Sequence, residues 1–169
     1  MRVAAALLAA LISGCGLNVS ETPPPSGPIP TPLASPPADL AATRAALDGA
    51  LRQAAGVGLD DAPEGYRPAE PAAFTYVPRA VAKIRLPNDP NRLYVVFYSF
   101  TTPDQTTAAA QQAASFYASG PGLVQFPADT QFAISPAGSV LVFAAWSPSM
   151  TVDRPTAEAA FGAIKAFGG

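Results

Sequence analysis

Histidine is absent from the sequence, and cysteine occurs once, at Cys15. The first absence removes the side chain that most often moves protons near neutral pH, and the commonest metal ligand. It also leaves no imidazole to activate a serine or a thiol. A single cysteine excludes a disulfide within the chain, so stability has to come from packing. Charge is sparse: 13% of residues are charged and the net charge is −2. Nucleic-acid binding usually shows as a basic excess, and there is none. The apolar run at residues 3–13 is too short for a membrane-spanning helix, which needs about 20 residues. The GxSxG, GxGxxG, Walker A, CxxCH and zinc-ligand patterns are all missing. Asp60, Asp61 and Glu64 in "LDDAPEG" lack EF-hand spacing and read as a solvated loop. One enzymatic reading stays open: a hydrolase would need Asp60, Asp61, Glu64 and Glu70 to supply two acids in one pocket. The expectation is a protein that is not an enzyme, uses no metal or other cofactor, and binds no nucleic acid.

What is present begins at the N-terminus. Met1-Arg2 supplies a positive charge, and "VAAALLAALIS" (residues 3–13) is nearly unbroken in apolar character. A basic start, a short apolar region and small residues at its end describe a secretory signal peptide. The next residues make the pattern more specific. Ile12-Ser13-Gly14-Cys15 resembles the lipobox of bacterial lipoproteins. The resemblance covers residues 1–15 and says nothing about the rest. It implies a diacylglyceryl group on the Cys15 thiol, removal of residues 1–14, and an acyl chain on the new amino group. The implied partner is therefore a membrane, gripped through those chains, with the protein on its extracytoplasmic side. Burial of acyl chains contributes about 0.8 kcal/mol per methylene, so two or more hold a protein firmly. Gly16 stands where aspartate would resemble an inner-membrane retention signal, which leaves both the cell membrane and an outer membrane open as destinations. The "NVS" sequon at residues 18–20 reads as chance.

Proline is plentiful, 20 residues in all, and unevenly placed. Half of "TPPPSGPIPTPLASPP" (residues 22–37) is proline. Such a stretch favours polyproline II at about 3.1 Å per residue, a semi-rigid tether of up to about 50 Å. Residues 15–37 thus read as anchor plus tether, and residues 38–169 as one globular domain.

Within that domain, periodicity marks the elements. Residues 38–56 predict a helix with Asp39 near its start, Leu40, Leu47 and Leu51 on one face, and Gly56 ending it. Arg44, Asp48 and Arg52 fall at i, i+4 spacing. Residues 56–78 are irregular, with a short edge strand expected at Phe74, Tyr76 and Val77. "RAVAKIRLP" alternates: Ala80, Ala82, Ile84 and Leu86 face one way, and Arg79, Val81, Lys83 and Arg85 the other. After a turn at 87–91, "RLYVVFYSF" is apolar on both faces and belongs in mid-sheet. "TTPDQ" then sets Thr102 as N-cap, Pro103 at N1 and Gln105 at N3, a capping box. A second hairpin, "QFAIS" and "SVLVFAAWS" around "PAG", leads to a last helix capped by Asp153. The fold expected is α+β: an antiparallel sheet of four or five strands, helices mainly on one face, and an N-terminal helix before it. The order is compatible with two hairpin–helix units.

The candidate binding surface is the second sheet face. If Leu93, Val95 and Phe97 meet the helices, then Tyr94, Val96, Tyr98 and Phe100 point the other way. Arg79, Lys83, Arg85 and Arg92 would run beside them, and Trp146 joins them if its strand presents the Val140, Val142 side. Aromatic rings with polar tips beside cations suit a glycan or peptide. The alternative is that the N-terminal helix and residues 56–78 cover this face. Two functions follow: a non-enzymatic binding or assembly module of the cell envelope with a protein partner, or a solute- or glycan-binding lipoprotein using the Arg79, Lys83, Arg85, Tyr94, Tyr98, Trp146 set.

Overall fold

The computed structural model of the chain describes residues 38–62, 66–87, 89 and 92–169. The lipobox, Cys15 and the proline tether lie outside these residues, as do Glu64 and part of the 87–91 turn.

Helix α1 (Ala38–Ala55) forms where leucine spacing predicts it, and Leu40, Leu47 and Leu51 are buried. It ends at Gly56, whose φ of 67° is a conformation that side chains disfavour. Arg52 Nε donates to Asp48 Oδ2 (2.8 Å), the expected i, i+4 pair. Arg44 turns instead to Asp61 (2.6 Å), tying the helix to the sheet edge. That edge is strand β1 (Leu59–Asp61), which lies in the segment expected to be irregular. The strand expected at 74–77 is absent; Ala72–Phe74 form a 3₁₀ turn instead. Pro71 and Pro78 bracket the segment with nitrogens that cannot join a ladder, while Leu59 finds a partner in Ile84.

Strands β2 (Arg79–Arg85) and β3 (Arg92–Ser99) pair as the predicted hairpin. Helix α2 (Pro103–Tyr117) starts at the predicted cap: Thr102 Oγ1 accepts from Gln105 N–H (3.3 Å), and Gln105 Oε1 accepts from Thr101 N–H (3.0 Å). A single turn, α3 (Gly120–Leu123), follows. Strands β4 (Gln131–Ala137) and β5 (Val140–Trp146) make the second hairpin around Gly138, φ 59°. Helix α4 (Arg154–Ala166) is capped by Asp153, whose Oδ1 accepts from Thr156 N–H (3.4 Å). A buried hydroxyl secures the other end of α4: Ser135 Oγ donates to Ile164 C=O (2.7 Å).

The result is an α+β fold around one five-stranded antiparallel sheet, in the order β1-β2-β3-β5-β4. Helices α1 and α4 cover the face bearing Ala82, Ile84, Leu93, Val95, Phe97, Val140, Val142 and Ala144. Helix α2 covers part of the other face, against Val96, Tyr98, Leu141 and Phe143. The two hairpin–helix units repeat in chain order, but their helices lie on opposite faces. A two-fold axis normal to the sheet would relate the hairpins and put both helices on one face. The repetition is therefore one of layout and not of three-dimensional structure.

Candidate functional site

Cross-strand register decides what shares a face with the predicted residues. Arg79 lies opposite Tyr98, Lys83 opposite Tyr94, and Arg85 opposite Arg92. The cations of β2 and the tyrosines of β3 thus form one face, as the alternation of both strands implies. Trp146 is not on it. Val96 pairs with Phe143, so odd-numbered residues of β5 join the tyrosine face and even-numbered Trp146 points toward α4. There it is 7% exposed, packs against Phe161 with ring centroids 5.5 Å apart, and donates from Nε1 to Thr151 Oγ1 (3.0 Å).

The tyrosine face is covered. Residues 66–78 cross its β2–β3 half, and α2 lies over the β4–β5 half. Tyr66 stacks on Tyr94 with centroids 3.9 Å apart and planes 8° from parallel. Phe74 sits against Tyr98 and Phe100. The α1 helix, expected as part of this cover, is on the opposite face. Burying polar groups requires partners for them, and the segment supplies a compact set. Glu70, its side chain 5% exposed, accepts from Tyr98 Oη–H (2.8 Å), Arg79 Nη1 (3.2 Å) and Arg67 Nε (2.8 Å). Arg67 also donates to Thr75 C=O (3.0 Å), closing the loop on itself. Tyr117 Oη–H donates to Ala69 C=O (2.6 Å), so a phenol from α2 pins the same segment. Burial pushes the Tyr98 phenol well above its usual range, and its hydrogen bond to the Glu70 carboxylate pushes the same way. Tyr117 and Tyr66 are raised mainly by burial, with the Glu70 charge contributing at Tyr117 and Tyr94 at Tyr66.

Glu70 is thus a structural anion. Glu70→Gln keeps the shape but removes the charge that two guanidiniums face. It is expected to cost about 2–3 kcal/mol of stability. Amide hydrogen exchange across 66–78 checks the location of the effect: protection there should fall before that of β3 or β5. Uniform loss over the domain would contradict the assignment.

The other acids are also held apart. Asp60 pairs with Arg85 (3.0 Å) and Asp61 with Arg44 (2.6 Å), on opposite sides of β1. Asp48 accepts from Arg52 and from Leu59 N–H (2.6 Å), which together hold its carboxyl below the usual range. Asp129 is lowered by Ser147 hydroxyl and Ser149 N–H donors. Asp60, Asp61 and Glu70 do not meet in a pocket. Among the described residues, no group of three or more acids or thiols is placed to hold a metal ion.

What remains open near the predicted residues is small. A cleft of about 220 Å³ lies beside the Tyr66–Tyr94 stack, lined also by Phe126, Pro127, Thr130 and Met150. Thr130 Oγ1 is buried without a hydrogen-bond partner. Trp146 borders a separate groove of about 450 Å³ along α4 with Gln131, Arg154, Glu158 and Lys165. A third cleft, about 370 Å³, lies between α1 and the β1–β2 edge, with an apolar floor of Leu40, Ala45 and Leu59 and a rim of Arg44 and Asp48.

The sequence offered no signal for the Glu70–Tyr98–Tyr117 arrangement, beyond Arg67 and Glu70 standing three apart in a proline-rich stretch. Compared with protein-family models, curated proteins and solved structures, the chain has no match.

Proposed function

We propose that this chain is a lipid-anchored module of a bacterial cell envelope, held on a membrane through acyl chains on Cys15, whose domain works by binding or assembly rather than by catalysis. The observation that carries the reading is "LISGC", a small-residue motif ending in the chain's single cysteine directly after a short apolar run. Two features of the domain support its second half. The chain has no histidine. The acids Asp60, Asp61 and Glu70 are occupied in pairing with Arg85, Arg44, Arg67 and Arg79, so each is committed to holding elements together.

The experiment is a Cys15→Ala variant expressed in a bacterial host with labelled palmitate. The wild-type chain is expected to take up label and partition with membranes. The variant is expected to stay at precursor length and take up none. Normal processing and labelling of the variant would refute the anchor.

The competing reading, a solute or glycan held on the aromatic and basic face, needed that face open. With residues 66–78 and α2 lying on it, this reading rests on the 220 Å³ cleft beside Tyr94 and its orphan Thr130 hydroxyl. Sites for drug-sized ligands usually run from about 300 to 1,000 Å³, so the cleft suits a single ring at most.

A further inference from the structure

The two edges of the sheet are finished differently. The β1 edge is three residues long and carries Asp60 and Asp61. Short, charged edges resist pairing with other strands. The β4 edge is seven residues long, bears no charge, and has no strand beyond it among the described residues.

Its free hydrogen-bonding groups can be identified. Phe100 N–H donates to Ser139 C=O (2.8 Å). Alternation then turns the peptide groups of Leu141 and Phe143 toward β3, and those of Val140, Val142, Ala144 and Trp146 toward β4. Their partners in register are Ala137, Ser135, Ala133 and Gln131. The N–H and C=O groups of Phe132 and Ile134 therefore point off the sheet. Pro136 points the same way with no proton to donate, the placement expected of proline on an edge.

The helices flanking this edge present unusual sides to it. On α2, Gln105, Ala108 and Gln112 line a cleft with Phe74 and Phe100, on the β3 side. The opposite side of the helix holds Thr107, Ala110, Ala114 and Ala118, all small, with Ala110 packed into the cluster between α2 and the sheet. On α4, Ala163 and Phe167 pack into the cluster shared with α1. The opposite side, beside Gln131 of β4, carries Arg154, Glu158, Gly162 and Lys165. Gly162 sits in mid-helix, where glycine costs about 1 kcal/mol relative to alanine. Among the described residues a Cβ there would meet nothing within 4 Å, so no contact with them calls for a glycine. Among the described residues, Glu158 makes no ion pair.

We propose that a second copy of this chain pairs with β4, antiparallel, about a two-fold axis at Ala133. Phe132 of each copy then faces Ile134 of the other, and each such pair exchanges both of its N–H···O=C bonds. The same axis sets the two α4 helices antiparallel. Ser135 bonds the Ile164 carbonyl and Gln131 borders Phe161, so Ala133 lies beside the Gly162 region of α4. Glu158 and Lys165 stand on either side of that point. Each Glu158 therefore meets Lys165 of the other copy, with Gly162 at the closest approach. On the other face the small side of α2 meets its own mate. Lys165 lies over the Phe161 ring of its own helix, 5.7 Å from the centroid, whereas a foreign peptide strand would satisfy the backbone of β4 but leave Glu158 without an ion pair. An interface that is the same patch on both subunits, as in most dimers, requires this self-complementarity.

The test uses the full chain in detergent, followed by sedimentation velocity and chemical cross-linking over a dilution series. The wild-type chain is expected to form a dimer. Gly162→Lys adds a long cation where a Cβ meets nothing and removes a mid-helix glycine, so the circular dichroism melting temperature should not fall while self-association weakens by about tenfold or more. Glu158→Lys should also weaken it, and the exchanged pair Glu158→Lys with Lys165→Glu should restore it. A wild-type chain that stays monomeric at the highest concentration, a Gly162→Lys dimer as tight as wild type, or an exchanged pair no tighter than Glu158→Lys alone would each overturn the proposal.

Discussion

Tyr117→Ala is expected to lower the unfolding free energy by about 4 kcal/mol, in the range measured when large buried aromatic side chains are truncated. The ring is 4% exposed and lies across Phe132 and Phe143, each near-parallel to it with centroids 4.7 Å away and 6.3 Å from one another. Phe116 and Phe126 meet it edge-on. Phe126 and Phe132 are themselves packed edge to face, which opposes their moving into the space it would leave. Aromatic pairs of this geometry contribute about 0.5–1.5 kcal/mol beyond buried area. The phenol adds a second effect, since its hydrogen bond to Ala69 C=O holds residues 66–78 on the sheet. Tyr117→Phe isolates that bond and should cost about 1–1.5 kcal/mol. Urea unfolding of both variants measures the difference. If alanine costs no more than phenylalanine, the ring is not the keystone of this layer. A loss near 4 kcal/mol is a large share of the roughly 5–15 kcal/mol that a domain usually has.

Stability is also expected to fall steeply above pH 10. Tyr98 and Tyr117, 1% and 4% exposed, have phenols raised well above the ordinary value of 10.0. A group whose pKa is raised by folding stabilises the fold fully below its unfolded pKa. That stabilisation is lost as pH climbs from the unfolded value toward the folded one. Above pH 10 the unfolded chain releases these protons and the folded chain keeps them. Each such phenol then costs about 1.4 kcal/mol per pH unit, or about 2.7 for the pair. Tyr66 shifts in the same direction and adds to the slope. Urea midpoints taken from pH 9 to pH 12 give the measurement. Absorbance of ionised phenol provides a second reading: the Tyr98 and Tyr117 signals should appear together with unfolding rather than before it. In the double Phe variant at Tyr98 and Tyr117 the slope should flatten by about two protons. An unchanged slope would mean that neither phenol is protected by the fold.

Both effects depend on residues that the sequence marked only in part. Tyr117 was readable as one position of the α2 stripe, and Tyr98 as one of two faces of β3. Their partners were not readable. Glu70 stands 28 residues from Tyr98, and Ala69 stands 48 from Tyr117. Neither distance is a local period, so no pattern of three, four or two residues connects them. Trp146 illustrates the same limit. Every residue of β5 is apolar, so its alternation carried no mark of which face meets α4. The pairing of Val96 with Phe143 decided it.

The sequence by itself determined the features that local chemistry controls. Thr102 and Asp153 capped their helices, Gly56 ended α1, the alternating "RAVAKIR" made β2, and the lack of histidine removed a class of catalysis. Each depends on a residue and its near neighbours, through a hydrogen bond within a turn or the pleat of one strand. Only the tertiary structure decided that β5 sits between β3 and β4, that α2 and α4 take opposite faces, and that residues 66–78 close over the tyrosines. Those outcomes come from burying both sides of the central strands at once, a condition that no single segment contains.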